Sequence, residues 1–243
     1  MKVIPKILAA SVSIALVVAS GFAAFAEERI DQTPAIGLKL LSVQKIWDAA
    51  PHNAFTDLVR FQNRWYCVFR EADSHPVVPK GKLRIVTSGD GETWESAALL
   101  SHGNDDLRDA KLSVMPDGRL MLIGAVAYPQ PKPPHPYQSL VWFSRDGKTW
   151  SKHVKIGGQN EWLWSIAWND ATAYSIAYCW HESPRIKTTV ELRRSRDGRK
   201  WQTFVADMFP DGGKPNESSL VFAPDGTCYC LLRRDDGTTT GQL

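Results

Sequence analysis

Short runs in which apolar and polar residues alternate fill the chain from about residue 54 onward, and they come in groups of four. Alternation with a period of two puts successive side chains on opposite faces of a strand, so each run predicts a strand with at least one covered face. The first group falls near 56–62, 64–71, 82–88 and 93–100, and the second near 109–115, 119–127, 138–144 and 149–156. A third occupies 162–169, 173–180, 188–195 and 200–206. A fourth starts at 217–223 and runs back along 227–234. Turn formers sit between the paired runs: Gln62-Asn63, Pro116-Asp117-Gly118, Asn169-Asp170 and Pro224-Asp225-Gly226. Leu38 to Trp47 reads as one further, isolated strand.

A second pattern is laid over the first. Ser88-Gly89-Asp90-Gly91-Glu92-Thr93-Trp94 recurs as Ser144-Arg145-Asp146-Gly147-Lys148-Thr149-Trp150 and, with one change, as Ser195-Arg196-Asp197-Gly198-Arg199-Lys200-Trp201. Self-similarity at a period of roughly 50 residues is the mark of a solenoid or propeller. The residue types give the repeat a structural task. Asp accepts backbone N–H groups two residues on, Gly takes the positive φ of a tight reversal, and Trp pins the returning strand on the core.

Four-stranded meanders at this period predict an all-β fold, a β-propeller of four-stranded antiparallel blades. The expected blades are 54–100, 105–156, 161–206 and 216–243, about three and a half in all. Residues 27–53 are expected to form a leader with a ring-closing strand. Since the fourth blade has two strands and the leader supplies one, the sequence reads as a fragment of a longer protein with six blades.

The repeats resemble the Asp boxes of the sialidase (neuraminidase) family of β-propellers, in a shortened form that lacks the residue between Asp and Gly. The resemblance implies that Asp90, Asp146 and Asp197 are structural. A meander places these boxes on one face of the disc, so binding groups are expected on the other, where strand one begins and strand two ends. Arg108, Asp109, Trp164, Asn216, Glu217, Arg70 and Arg233 all fall there. Carboxylates serve as acid or base, guanidinium groups hold anions, and flat rings suit sugar faces.

Asn216-Glu217 followed one strand later by Arg233 is similar to the sialidase segment that pairs a Glu serving a tyrosine nucleophile with an Arg of the carboxylate-binding triad. By the same resemblance Arg70 is expected to contact substrate, Asp73 to be the acid/base, and Asp109 to touch the sugar. Thr56 stands where the family carries its first triad arginine. The implied function is a retaining, sialidase-like glycoside hydrolase acting on an acidic sugar. The alternatives are a non-catalytic glycan-binding propeller and a hydrolase of another sugar.

Composition changes this picture at three points. Lys2 and Lys6, an apolar run from Ile7 to Val18 and a close at Ala24-Phe25-Ala26 read as a secretory signal peptide over residues 1–26, so the protein is expected to be secreted or periplasmic. The formal net charge of +3 includes those two lysines, which leaves no basic field for nucleic acid, and no later run is long enough for a membrane span. Tyr66-Cys67, Tyr178-Cys179 and Tyr229-Cys230 are aligned as one shared strand position on sheets about 10 Å apart, too far for disulfides. No histidine or cysteine spacing suggests a metal, and no cofactor is expected; the expected partner is carbohydrate.

Overall fold

The computed structural model describes residues 39–130, 136–179, 190–209 and 213–235. Residues 1–38, which include the expected signal peptide, residues 131–135, 180–189, 210–212 and 236–243, and the side chain of Cys179 lie outside the described residues. The described residues are all-β, with fourteen strands and no helix. The first sheet comprises β1 (His52–Phe61), β2 (Arg64–Ala72), β3 (Lys82–Ser88) and β4 (Glu95–Leu100). The second comprises β5 (Asp106–Val114), β6 (Leu120–Ala127), β7 (Tyr137–Ser144) and β8 (Val154–Gln159). The third holds β9 (Glu161–Asn169), β10 (Thr172–Cys179), β11 (Val190–Ser195) and β12 (Gln202–Val205), and the fourth β13 (Pro215–Phe222) and β14 (Cys228–Arg234). Each sheet is an antiparallel meander in chain order, and the first strand of each lies against the first strand of the next. This is propeller architecture.

Three apolar seams hold the sheets face to face. Tyr66, Val68 and Ile85 of the first sheet meet Leu112, Leu122 and Trp142 of the second. Met121, Ile123 and Phe143 meet Leu163 and Ala177, and Trp164, Ile176 and Leu192 meet Leu220. A buried Leu, Ile or Phe contributes about 1.5–3 kcal/mol against ~0–1 for an exposed ion pair, so these seams outweigh the charged rim.

The three Asp boxes are alike in detail. In the second, Ser144 Oγ lies 3.0 Å from Asp146 Oδ1 and accepts from Gly147 N at 2.8 Å, while the same Oδ1 accepts from Lys148 N and Thr149 N at 2.8 and 2.7 Å. The backbone N–H groups of Thr149 and Lys148 hold the Asp146 carboxyl down at about 2. Those of Thr93 and Glu92 do the same for Asp90. The boxes also tie neighbouring sheets together, since Tyr66 Oη donates to Asp146 O at 3.0 Å and Gln62 Nε2 to Arg145 O at 2.9 Å.

Two expectations are corrected. Residues 39–49 are not a strand. They are held by side chains: Trp47 Nε1 donates to Glu71 Oε1 at 2.7 Å, Arg84 grips both oxygens of Glu71 and stacks on Trp47, and the ring packs on Phe69. The Tyr-Cys pairs do not share a position. Tyr66 and Tyr229 lie near the turn that opens their strands, whereas Tyr178 lies next to the last residue of β10, at the opposite end. Cys67, Cys228 and Cys230 are free thiols, Cys67 buried beside Phe69 and Val86.

Candidate functional site

The innermost strands repeat one irregularity. In each, two consecutive residues face a single residue of the second strand: Phe55-Thr56 opposite Phe69, Asp109-Ala110 opposite Gly124, Trp164-Ser165 opposite Ile176, and Asn216-Glu217 opposite Arg233. Such bulges bend the strand and re-aim side chains. Two of them force a non-glycine residue to positive φ, Phe55 at 62° and Asp109 at 51°. This conformation costs on the order of 1–3 kcal/mol and persists because the surrounding ladder holds it. The bulges lie at the strand ends remote from the Asp boxes, on the face where binding groups are expected.

Glu217 and Arg233 are brought together across the fourth bulge, Arg233 Nη1 standing 2.9 Å from Glu217 Oε2. Their side chains keep 34% and 53% of their surface open, and Arg233 Nε also meets Asp235 Oδ1 at 2.8 Å. Asn216 is buried beside them; its Oδ1 accepts from Glu217 N and its amide donates to Asp235. Asp109 sits deeper, 7% exposed. Burial pushes its carboxyl up to about 6, with Arg108 opposing and the charge of Glu217 reinforcing. Tyr178 lies in the same field, its phenol raised well above the usual range by burial and then by Glu217 and Asp109. Sequence alignment had given Tyr178 the same strand position as Tyr66 and Tyr229; its place next to the last residue of β10 is what carries it to this end.

Other expected residues are placed differently. Arg70, expected on the substrate, is fully buried. Its Nε and Nη2 donate to the two oxygens of Asp106 at 2.8 and 2.9 Å, and its remaining bonds go to Ser74 O and Pro76 O. Asp106 also accepts from Val78 N and Arg108 Nη1, at 3.2 Å each. The pair is therefore a clasp between the first two sheets that fixes the 74–78 loop, and it leaves no guanidinium face for an anion. Arg108 is drawn into the same clasp, donating to His75 O at 3.1 Å and standing over Phe55. Trp164, expected as a sugar platform, is 7% exposed and packs with Ile176 and Leu220 under Lys111 Nζ, too enclosed for a sugar to stack on. Asp73 is exposed in the loop after β2. Asp106 was missed altogether. Only its place in the next sheet reveals it as Arg70's partner.

Thr56 is exposed on the first bulge, and Asp57 beside it turns inward, its Oδ2 accepting from Leu112 N at 2.7 Å. Burial raises the Asp57 carboxyl, partly offset by that bond. Among the described residues no group of His, Cys, Asp and Glu is arranged to hold a metal ion. No helix there is long and apolar enough to cross a membrane.

No family model and no curated protein matches the chain. Solved structures do. A protein of unknown function from Dyadobacter fermentans superposes with a TM-score of 0.66 at 20% identity, covering 75% of this chain and 62% of its own. An alpha-L-arabinanase of Penicillium chrysogenum, complexed with arabinobiose, gives 0.62 at 19% identity over 79% and 60%. A Hadza microbial sialidase, Hz136, gives 0.57 at 14% identity over 80% and 47%. The chain thus spans less than two thirds of the length of these structures, and what it shares with them is the β-propeller fold.

Proposed function

We propose that this chain contributes the substrate site of an exported glycoside hydrolase acting on an acidic sugar, with a terminal sialic acid as the first substrate to try. The observation that carries the reading is the convergence of Glu217, Arg233 and Asp109 on bulged inner strands, on the face opposite the Asp boxes. Arg233 is half exposed and offers a charge-assisted contact to a sugar carboxylate; Glu217, ion-paired to it, is positioned to take a proton from a nucleophile. The fold shared with an arabinanase and a sialidase supports sugar hydrolysis over unrelated chemistry.

The test is turnover of a panel of fluorogenic glycosides that includes sialosides and arabinofuranosides. Glu217→Gln is expected to lower kcat/KM by at least about 100-fold on whichever glycoside the wild type cleaves. Undiminished turnover in that variant rules the reading out. A second reading, a glycan-binding propeller without catalysis, is favoured by the burial of Arg70, Arg108 and Trp164, which leaves few open contacts. Binding on a glycan array without cleavage of any member would establish it.

A further inference from the structure

Four carboxylates are buried among the described residues, and three of them are spoken for. Glu71 is gripped by Arg84 and Trp47. Asp106 is held by Arg70, Arg108 and Val78 N. Glu161 is paired with Arg193 and accepts from Gly158 N. The fourth, Asp109, is different: its Oδ1 is buried without a hydrogen-bond partner. The nearest cation to it is Arg108, whose Nε is 3.8 Å from Oδ2, beyond hydrogen-bond reach, and whose Nη1 is committed to Asp106 and His75 O. An ionised carboxylate buried this way bears a large desolvation cost, whereas a neutral carboxyl has a proton to give.

From this placement we infer that Asp109, rather than the exposed loop residue Asp73, is the general acid of the site, donating its proton to the oxygen of the departing alcohol. The inference rests on the glycosidase reading above. As the bond between the anomeric carbon and the glycosidic oxygen breaks, that oxygen takes the Asp109 proton and leaves as a neutral alcohol. Asp109 is left as carboxylate, and the water that completes hydrolysis bonds through its oxygen to the anomeric carbon and gives one proton back to Asp109. The groups facing it fit the role. Burial above all, and then Glu217 from β13, oppose its ionisation, Arg108 and Lys111 on β5 and Arg70 on β2 favour it, and the balance lies at about 6, near a working pH. The bulge supplies the geometry, because the positive φ at Asp109 is what removes this side chain from the regular alternation of β5.

The experiment compares the wild-type full chain with Asp109→Asn on two glycosides of one sugar, an activated aryl glycoside and an alkyl glycoside. An acid matters only where the leaving group needs protonation. Asp109→Asn is expected to lower kcat/KM on the alkyl glycoside by about 100- to 10,000-fold and on the activated one by less than about tenfold. Equal losses on both, or none on either, overturn the inference while leaving the glycosidase reading standing. A wild type inactive on every glycoside defeats both together. A second measurement is made on the wild type itself: carbon-13 titration of its aspartate carboxyls, assigned through the backbone, should show the Asp109 signal titrating near 6, and an Asp109 carboxyl titrating near the ordinary 4 overturns the assignment.

Discussion

Glycines of one conformation carry different duties in this fold, and the difference can be measured. Gly118 and Gly147 both have positive φ, 79° and 71°. A Cβ on Gly118 meets nothing within 4 Å, but one on Gly147 would lie 2.2 Å from Cε1 of Tyr66 in the preceding sheet. Gly118→Ala therefore bears only the backbone penalty, about 1–2 kcal/mol, while Gly147→Ala adds the overpacking of an aromatic ring and is expected to cost about 2–4 kcal/mol in urea unfolding. Equal losses would show that the ring moves aside freely. The turn itself is legible in sequence because Ser, Asp and Gly within four residues determine it. The pressure from Tyr66 is not, since it comes from a strand some eighty positions earlier. Arg70 illustrates the same limit: an arginine at a strand end reads as a ligand-binding group until its partner, Asp106, is seen across the seam.

At the level of strands, the period-two reading located every described ladder, and it began late on the inner strands for a physical reason. β1, β5 and β13 were expected to start at 56, 109 and 217, which are the bulge positions; the extra residue there reverses the alternation, so the two to four residues before it fall out of phase. The candidate site lies where the pattern fails, so sequence indicated its neighbourhood but not its geometry. The clasp beside it makes a second prediction. Arg70→Met strands Asp106 as a buried, partly uncompensated charge and is expected to destabilise by about 3–5 kcal/mol, releasing the 74–78 loop to proteolysis. Converting both partners, Arg70→Met with Asp106→Leu, should be the milder change because neither charge is left behind. A double variant as unstable as the single would show that the loop bonds, not the ion pair, hold the seam.

Across the whole molecule the two faces of the disc respond to acid in opposite directions. On the Asp-box face, Asp90 and Asp146 are held at about 2, below the ordinary 3.8, by backbone N–H groups, so these carboxylates stabilise the fold above about pH 4 and lose that contribution as pH falls through 2. On the opposite face Asp109 is raised from 3.8 to about 6 by burial, so the native state holds its proton more tightly than the unfolded chain. Its contribution is complete below about pH 4 and is lost as pH rises through 6, a swing on the order of 3 kcal/mol for a shift of this size. Asp57, raised by burial, acts in the same sense. The opposed slopes are separable by subtraction. Wild type minus Asp109→Asn, followed by denaturant unfolding from pH 2 to 8, should decline between about pH 4 and 6 and then level off, while wild type minus Asp146→Asn should rise between about pH 2 and 4 and stay flat above. A flat Asp109 difference would mean that water reaches its free oxygen, and with it the acid assignment fails. A fold that stabilises one set of aspartates by ionisation and strains another against it has set apart the face where a proton can be given away.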